Sequence, residues 1–397
     1  MDRIILHCDC NCFYASCELL SHPDLRQLPV AVCGDPTERH GIILAKNEPA
    51  KRCGVKTAET IWKAKQKCPG LILLPPHHRL YAEYSKKINA VYGEYTDLVE
   101  PFGIDESWLD VTNSLHLFGG DARALADTLR GRIKREFGLT ISVGVSFNKV
   151  FAKLGSDYKK PDAVTLISPD NFRALVWPLP VTDLLYVGRA AADTLKRFGV
   201  RTIGDLARSD RSLIESHLKS HGTLLWEYAN GIDDRPVITE EPEAKGIGNS
   251  TTLAHDVTSR AEAKSTLLVL CRSVSGRLKK AGQLAGTVTV EIKYSSFQSV
   301  SHQTSLLSPS NGEKALYEAA CMLFDQLWDE EPIRLLGVRG TRLVREGEPV
   351  QMNLFDLDYN SYKKDEKHKK LDAALESIQK RYGKNAVITA NRIKKEN

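Results

Sequence analysis

Between Phe102 and Asp110 the chain reads Phe-Gly-Ile-Asp-Glu-Ser-Trp-Leu-Asp, and this run limits the possible folds more than any other. Two adjacent acids, Asp105 and Glu106, stand between apolar residues in a stretch that predicts strand, turn, strand. Side chains alternate faces along a regular strand, so neighbouring carboxylates converge only where the backbone bends between them. Gly103 makes such a bend easy. Far upstream, Ile4-Ile5-Leu6-His7-Cys8-Asp9 is a second apolar strand ending in an acid. If the two strands lie side by side, Asp9, Asp105 and Glu106 share one site. Two carboxylates about 4 Å apart repel by roughly 4 kcal/mol at an effective dielectric of about 20, so three of them need cations between them. An all-oxygen donor set favours Mg²⁺ or Mn²⁺. The sequence therefore predicts a divalent-metal phosphoryl-transfer centre.

A chain of 397 residues is too long for one ordinary core and should divide into several domains. Its apolar content of 42% and charged content of 26% are those of a soluble globular protein. No apolar run approaches a membrane span, and Met1-Asp2-Arg3 leads straight into a strand, so neither a membrane anchor nor a signal peptide is expected. The nine cysteines form no secreted disulfide pattern, which points to a reducing cytoplasm. Cys8, Cys10 and Cys12 read as alternating along the first strand, but with Cys17 they lack the paired C-x-x-C spacing that a zinc or iron–sulfur site would want. The net charge of +5 is a mild hint of a polyanionic partner. From Gln351 to Asn397 there are eleven Lys/Arg against seven Asp/Glu, so most of the excess lies in the tail.

In chain order, further strands are predicted at Pro29–Cys33 and Gly41–Ala45, then a basic helix from Asn47 to Arg52 closed by Gly54. Lys46, Lys51 and Arg52 could line an anion pocket there or form a solvated helix face. Residues 78–97 read as a helix with Leu80, Tyr84, Ile88, Val91 and Tyr95 on one side. Leu139–Ser146 alternates as a half-buried strand, and Asn148–Leu154 should be helical. Strands separated by helices through residue 168 imply an α/β or α+β catalytic domain. Residues 180–230 hold short helices punctuated by Gly188, Gly199 and Gly204; such turns can offer amides to a phosphate or form a plain helical hairpin. Gly231–Gly246, rich in acids and proline, reads as an extended, exposed linker.

A new domain is expected from residue 247. Ser259-Arg260-Ala261-Glu262 has the pattern of a capping box, and Gly286–Tyr294 alternates strictly, with Val288, Val290, Ile292 and Tyr294 inward. A helix at 312–328 and a strand at 335–344 follow, with Arg339, Arg342 and Arg345 on or beside that strand. Basic and hydroxyl side chains on an open sheet face suit contact with a nucleic-acid backbone, or merely solvate the face. Gln351-Met352-Asn353-Leu354-Phe355 is a polar-then-apolar island that either docks back on the fold or fills a groove on another protein, before a final helix at about 365–382.

Taken together, Asp9…Phe13-Tyr14-Ala15, Ile104–Asp110, Ser142–Lys153 and Lys160-Pro161 resemble the Y-family translesion DNA polymerases, in particular the bacterial polymerase IV branch. The resemblance runs through essentially the whole chain in the right order. It implies an α+β multidomain, right-hand polymerase: palm and fingers at 1–168 (fingers about 35–78), a helix-hairpin-helix thumb at 169–230, a linker at 231–245, a little finger at 246–345 and a basic tail at 346–397. By the same resemblance, Asp9, Asp105 and Glu106 would be the catalytic metal carboxylates, with the Cys10 carbonyl as a further ligand and two Mg²⁺ ions, or Mn²⁺, between them. Tyr14 would be the steric gate against a ribose 2′-hydroxyl. Phe13, Lys51 and Lys160 would meet the nucleotide, while Gly188, Arg339 and Arg342 would meet DNA. Gln351, Leu354 and Phe355 would anchor a bacterial sliding clamp.

The implied protein is a cytoplasmic monomer that takes primer–template DNA and dNTPs. The sequence departs from the family at Asn11, where a second acid is common, and at Glu48 and Lys51, where many members carry Tyr and Arg. Those departures put nucleotide affinity in question and leave a polymerase V-like branch as an alternative. A nucleotide cyclase or a metal-dependent nuclease could use the three acids, but neither accounts for the accompanying modules; a non-catalytic, clamp-associated DNA-binding protein that has lost its chemistry is disfavoured because all three acids are present.

Overall fold

The computed structural model describes residues 3–36, 41–240, 243–348 and 381. They belong to two compact units, Met1–Glu241 and Pro242–Asn397. The chain opens with β1 (Ile5–Cys10) and α1 (Phe13–Ser21), then β2 (Val30–Cys33), β3 (Ile43–Lys46), α2 (Glu48–Arg52), α3 (Ile61–Lys67) and β4 (Ile72–Leu74). It continues through α4 (His78–Gly93), β5 (Val99–Pro101), β6 (Glu106–Asp110), α5 (Ala122–Phe137), β7 (Ile141–Ser146), α6 (Lys149–Tyr158) and β8 (Val164–Ile167). Four helices complete the first unit: α7 (Phe172–Val176), α8 (Arg189–Arg197), α9 (Ile203–Arg208) and α10 (Arg211–Ala229).

Five of these strands form one sheet in the order β5-β6-β1-β7-β8, with β1 antiparallel to both neighbours. All six residues of β1 are buried, because the sheet is covered on both faces. On one side Leu6, Cys8, Leu109, Val143 and Val145 pack with Tyr81, Ile88, Leu129 and Ile133 from α4 and α5. On the other, Ile5 and Trp108 meet Ala152 of α6. Gly144 permits that approach: a Cβ there would lie 1.8 Å from the Ala152 carbonyl and 2.5 Å from the Ser156 amide. A smaller sheet, β3-β2-β4, has its own core around Ile43, Ala50 and Ile61. The helices α7–α10 pack around Leu184, Leu195, Ile203 and Leu225.

Three expectations change in this unit. Cys12 lies outside β1, at the start of α1 in the left-handed region (φ 50°), so the three cysteines do not alternate along one strand. All nine cysteines are free thiols, and burial pushes Cys8 and Cys17 up to about 12. The helix expected over 78–97 stops at Gly93, and its buried side is Tyr81, Ile88, Val91 and Tyr92, with Leu80, Tyr84 and Tyr95 at the margin. The third concerns the segment after α10, which is irregular and largely exposed, as expected, but is anchored at intervals rather than free along its length. Asp233 and Val237 are buried, Arg3 donates to the carbonyls of Asp233 and Arg235, and Lys149 Nζ donates to the Pro236 carbonyl. Basic side chains far away in sequence hold this stretch against the main sheet.

The second unit holds β9 (Gly246–Val257), α11 (Arg260–Lys280), β10 (Gln283–Tyr294), β11 (Ser299–Ser310), α12 (Glu313–Leu327) and β12 (Ile333–Arg345). Its strands run β11-β10-β12-β9, all antiparallel, and α11 and α12 cover one face over Val288, Val290, Ile292, Leu336 and Val338. Ser259 starts α11 without a side-chain cap, and Glu262 pairs with His255 at 2.9 Å; a capping box forms at α9, between Thr202 and Asp205. The expected helix at 365–382 lies outside the described residues, apart from Arg381.

Candidate active site

Antiparallel pairing of β1 and β6 sets Asp9 opposite Glu106. The hairpin before β6 closes with the Phe102 amide donating to the Glu106 carbonyl at 2.8 Å, and Gly103 takes φ +88° within it. Asp105 sits at the mouth of this turn, its carbonyl accepting from the Cys10 amide at 3.0 Å. The bend inferred from the Phe-Gly-Ile-Asp-Glu run is therefore present, and cross-strand pairing brings Asp9 and Glu106 together; the Asp105 carboxyl feels the charge of Glu106 but does not join the three donor groups that lie within 4.8 Å of one another.

Asp9 is almost fully buried, Asp105 and Glu106 partly so. Burial, only partly offset by Lys160, pushes the Asp9 carboxyl up to about 7. Asp105 is raised as well, first by burial and then by the charge of Glu106. Glu106 moves the other way: burial would raise it, but His7 and Lys153 outweigh burial and draw it down to about 2. Lys153 Nζ contacts Glu106 Oε2, and Lys160 Nζ lies 2.5 Å from Asp9 Oδ2 and 2.7 Å from Asp157. Two ammonium groups thus stand against the carboxylates, as a cluster short of positive charge requires.

His7, Asp9 and Glu106 can each offer one ligand atom with all three within 4.8 Å of one another. The sequence alone does not single out His7, although its position two residues before Asp9 puts it on the same strand face. Its ring is fully buried against Trp108, with Nδ1 2.8 Å from Ser156 Oγ and Nε2 3.3 Å from Glu106. The hard carboxylate oxygens and their concentrated negative charge fit a divalent cation, and burial of His7 lowers its pKa to about 4, leaving a neutral ring at the site.

The remaining predicted residues separate into groups. Cys10 ends β1 beside Asp105. Tyr14 is half-buried, and its phenol is raised by burial and then by the charge of Asp105, so it faces the acidic site. Phe13 is a core residue, 3% exposed, beside Tyr14. Lys51 is exposed on α2 and pairs with Glu48 at 3.5 Å, while Glu48 accepts from the Cys12 thiol at 3.6 Å. Asn11 is a clasp: it donates to Ser142 Oγ and accepts from the Asp162 amide, both at 2.9 Å.

Gly188 precedes α8, but its own amide donates to the Tyr186 carbonyl at 3.0 Å. The amides that a helix start leaves unpaired come from the turn that follows it. In the second unit Arg339 is exposed on the sheet face away from the helices, beside Gly248, Ser250, Thr289 and Ser301. Arg342 adopts φ 51° opposite Gly286, a break in alternation that leaves Arg342 exposed while Leu343 packs on the core. Gln351, Leu354 and Phe355 lie outside the described residues.

Among the described residues, no helix is long and apolar enough to cross a membrane. Two family models match: the impB/mucB/samB family over residues 8–157, and the C-terminal domain of that family over 244–354. The chain is 45% identical to the DNA polymerase IV of Acetivibrio thermocellus over 386 residues, 96% of each chain. It is 37% identical to DNA polymerase IV 1 of Bacillus subtilis, spanning 99% of this chain and 94% of that one. Among solved structures, a Y-family DNA polymerase chimera superposes with a TM-score of 0.76 at 22% identity, covering 86% of this chain and 99% of the other. The α+β fold is that of the Y-family polymerases, and by sequence the chain belongs to the impB/mucB/samB family.

Proposed function

We propose that this DNA-directed DNA polymerase of the translesion type performs two-metal nucleotidyl transfer with Asp9, Asp105 and Glu106 as its metal carboxylates. The observation that carries the reading is the cross-strand pairing of Asp9 with Glu106, with Asp105 one residue before it at the turn. When bound, a pair of Mg²⁺ ions, or Mn²⁺, would activate the primer 3′-hydroxyl and neutralise the departing pyrophosphate. The three carboxylates and the Cys10 carbonyl hold that charge in place. Lys160, released from Asp9, meets the incoming triphosphate. Lys51 is exposed enough to assist it, and Phe13, packed against Tyr14, backs the nucleotide pocket. Tyr14 excludes the ribose 2′-hydroxyl. Most of the rate arises from positioning and charge neutralisation rather than from a side-chain base.

In this reading residues 1–168 are palm and fingers, 169–230 the thumb, and 246–345 the little finger. The amides opening α8 after Gly188, together with Arg339 and Arg342, grip the DNA backbone, a salt-sensitive hold that makes synthesis distributive. Gln351, Leu354 and Phe355 tether a monomer to a sliding clamp and so raise its local concentration at the primer end. The test is primer extension on undamaged and abasic templates, with Mg²⁺ or a chelator, with and without a clamp. Cation-dependent, clamp-stimulated extension of both templates is expected; DNA cleavage without extension would favour a nuclease instead.

A further inference from the structure

A carboxylate other than the metal acids lies deep in the first unit. Glu18, on α1, is 5% exposed, yet among the described residues it bonds to no lysine or arginine. Its partners are the His77 amide at 3.2 Å, His77 Nδ1 at 3.0 Å and the hydroxyl of Tyr81, which donates to Oε1. Burying a carboxylate is costly even when its oxygens are satisfied, and an apolar residue would fill such a core position at lower cost. Burial and the neighbouring Glu18 both raise the Tyr81 phenol, so it remains a donor.

What the bond holds is the ring. Tyr81 is fully buried and stacks on Tyr14 with centroids 4.1 Å apart and planes at 13°. His78 meets both rings edge-on, at 5.8 and 5.7 Å, and Phe13 closes the cluster at 6.0 Å from Tyr14 and 6.3 Å from Tyr81. The Tyr14 ring is therefore oriented by the aromatic faces and edges around it, above all by the ring beneath it. A stacked pair tolerates sliding and tilting at little cost unless one member is fixed by a directional contact.

We infer that Glu18 is a positioning residue for sugar discrimination: through Tyr81 it fixes the platform on which the Tyr14 ring stands, and so the space left for a 2′-hydroxyl. This rests on the reading of Tyr14 as the gate. Shortening or removing the anchor should let the ring tilt and admit ribonucleotides, while metal binding and deoxynucleotide transfer continue.

The experiment compares Tyr14→Ala, Tyr81→Phe and Glu18→Leu with the wild-type chain. It measures kcat/KM for each ribonucleotide against its deoxynucleotide on one primer–template, alongside the thermal midpoint. Tyr81→Phe keeps the stacked ring and deletes only the hydroxyl, so it remains informative if Glu18→Leu fails to fold. The expected result is a rise of about tenfold in the ribo-to-deoxy ratio for Tyr81→Phe and Glu18→Leu, of the kind a small misplacement of a positioning group produces. Their deoxynucleotide efficiency should stay near wild type, and Tyr14→Ala should relax the ratio further. If Tyr14→Ala relaxes selectivity while the other two keep the wild-type ratio and only lose thermal stability, Glu18 is structural and the inference is overturned. If Tyr14→Ala itself leaves the ratio unchanged, the gate reading fails, and this inference with it.

Discussion

Lys160 shows how one side chain can hold two partners in turn. Its ammonium lies between Asp9 and Asp157, and those charges, outweighing burial, raise its pKa. A divalent cation on Asp9 would compete for the same oxygen, which frees the lysine to reach a phosphate. Removing its charge deletes one charge-assisted hydrogen bond, about 1.5–3 kcal/mol, or roughly ten- to a hundredfold. Lys160→Met should therefore raise the KM for dNTP by about that factor with a smaller change in kcat; steady-state incorporation with an unchanged KM would show that the lysine serves Asp9 alone. Of the residues in this cluster, Asp9, Asp105 and Glu106 are legible in the sequence, because acids at the ends of apolar runs are costly unless something positive holds them there. His7 is not, since a histidine inside an apolar strand reads as an ordinary core residue until its neighbour across the sheet is known.

At the scale of elements, the site depends on how closely α6 lies on β7. Lys153 reaches Glu106, and Ser156 reaches His7, only because Gly144 lets the helix backbone touch the strand. A methyl group at 144 has no room without moving α6 as a whole, so Gly144→Ala should cost on the order of 3 kcal/mol and lower the thermal midpoint by several degrees. A midpoint within a degree of wild type would mean the helix shifts freely. The alternation at 142–146 predicts the strand but not this contact, which depends on sequence-distant α6. The acidic stretch after α10 misleads for a similar reason. Asp234 is solvated as its sequence suggests, but Asp233 is buried, Arg3, some 230 residues earlier, and Lys149 bind that stretch's carbonyls, and Val237 packs with Trp108. The expected capping box at Ser259 does not form: the Ser259 side chain makes no cap bond, and the Glu262 carboxylate pairs with His255 instead of the N-cap backbone.

For the molecule as a whole, periodicity and punctuation mark out the modules, since each carries a core of its own: Leu6 to Val164 around the main sheet, Ala31 to Leu71 in the smaller one, Val150 to Ala229 in the helical part, and Ile247 to Val338 in the second unit. The strand order β5-β6-β1-β7-β8 is not legible, because alternation records which residues are buried and not which strands are neighbours. Only the need to unite Asp9 with Asp105 and Glu106 argues that β1 and β6 pair. That union is the central claim, and it is tested most directly by single-turnover incorporation of one dNTP by Asp105→Ala, with primer–template binding followed in the same samples by fluorescence anisotropy. The expected result is a loss of at least about a thousandfold in incorporation rate, equivalent to ~4 kcal/mol, with DNA affinity near wild type. Incorporation within tenfold of wild type would contradict the assignment of the acids.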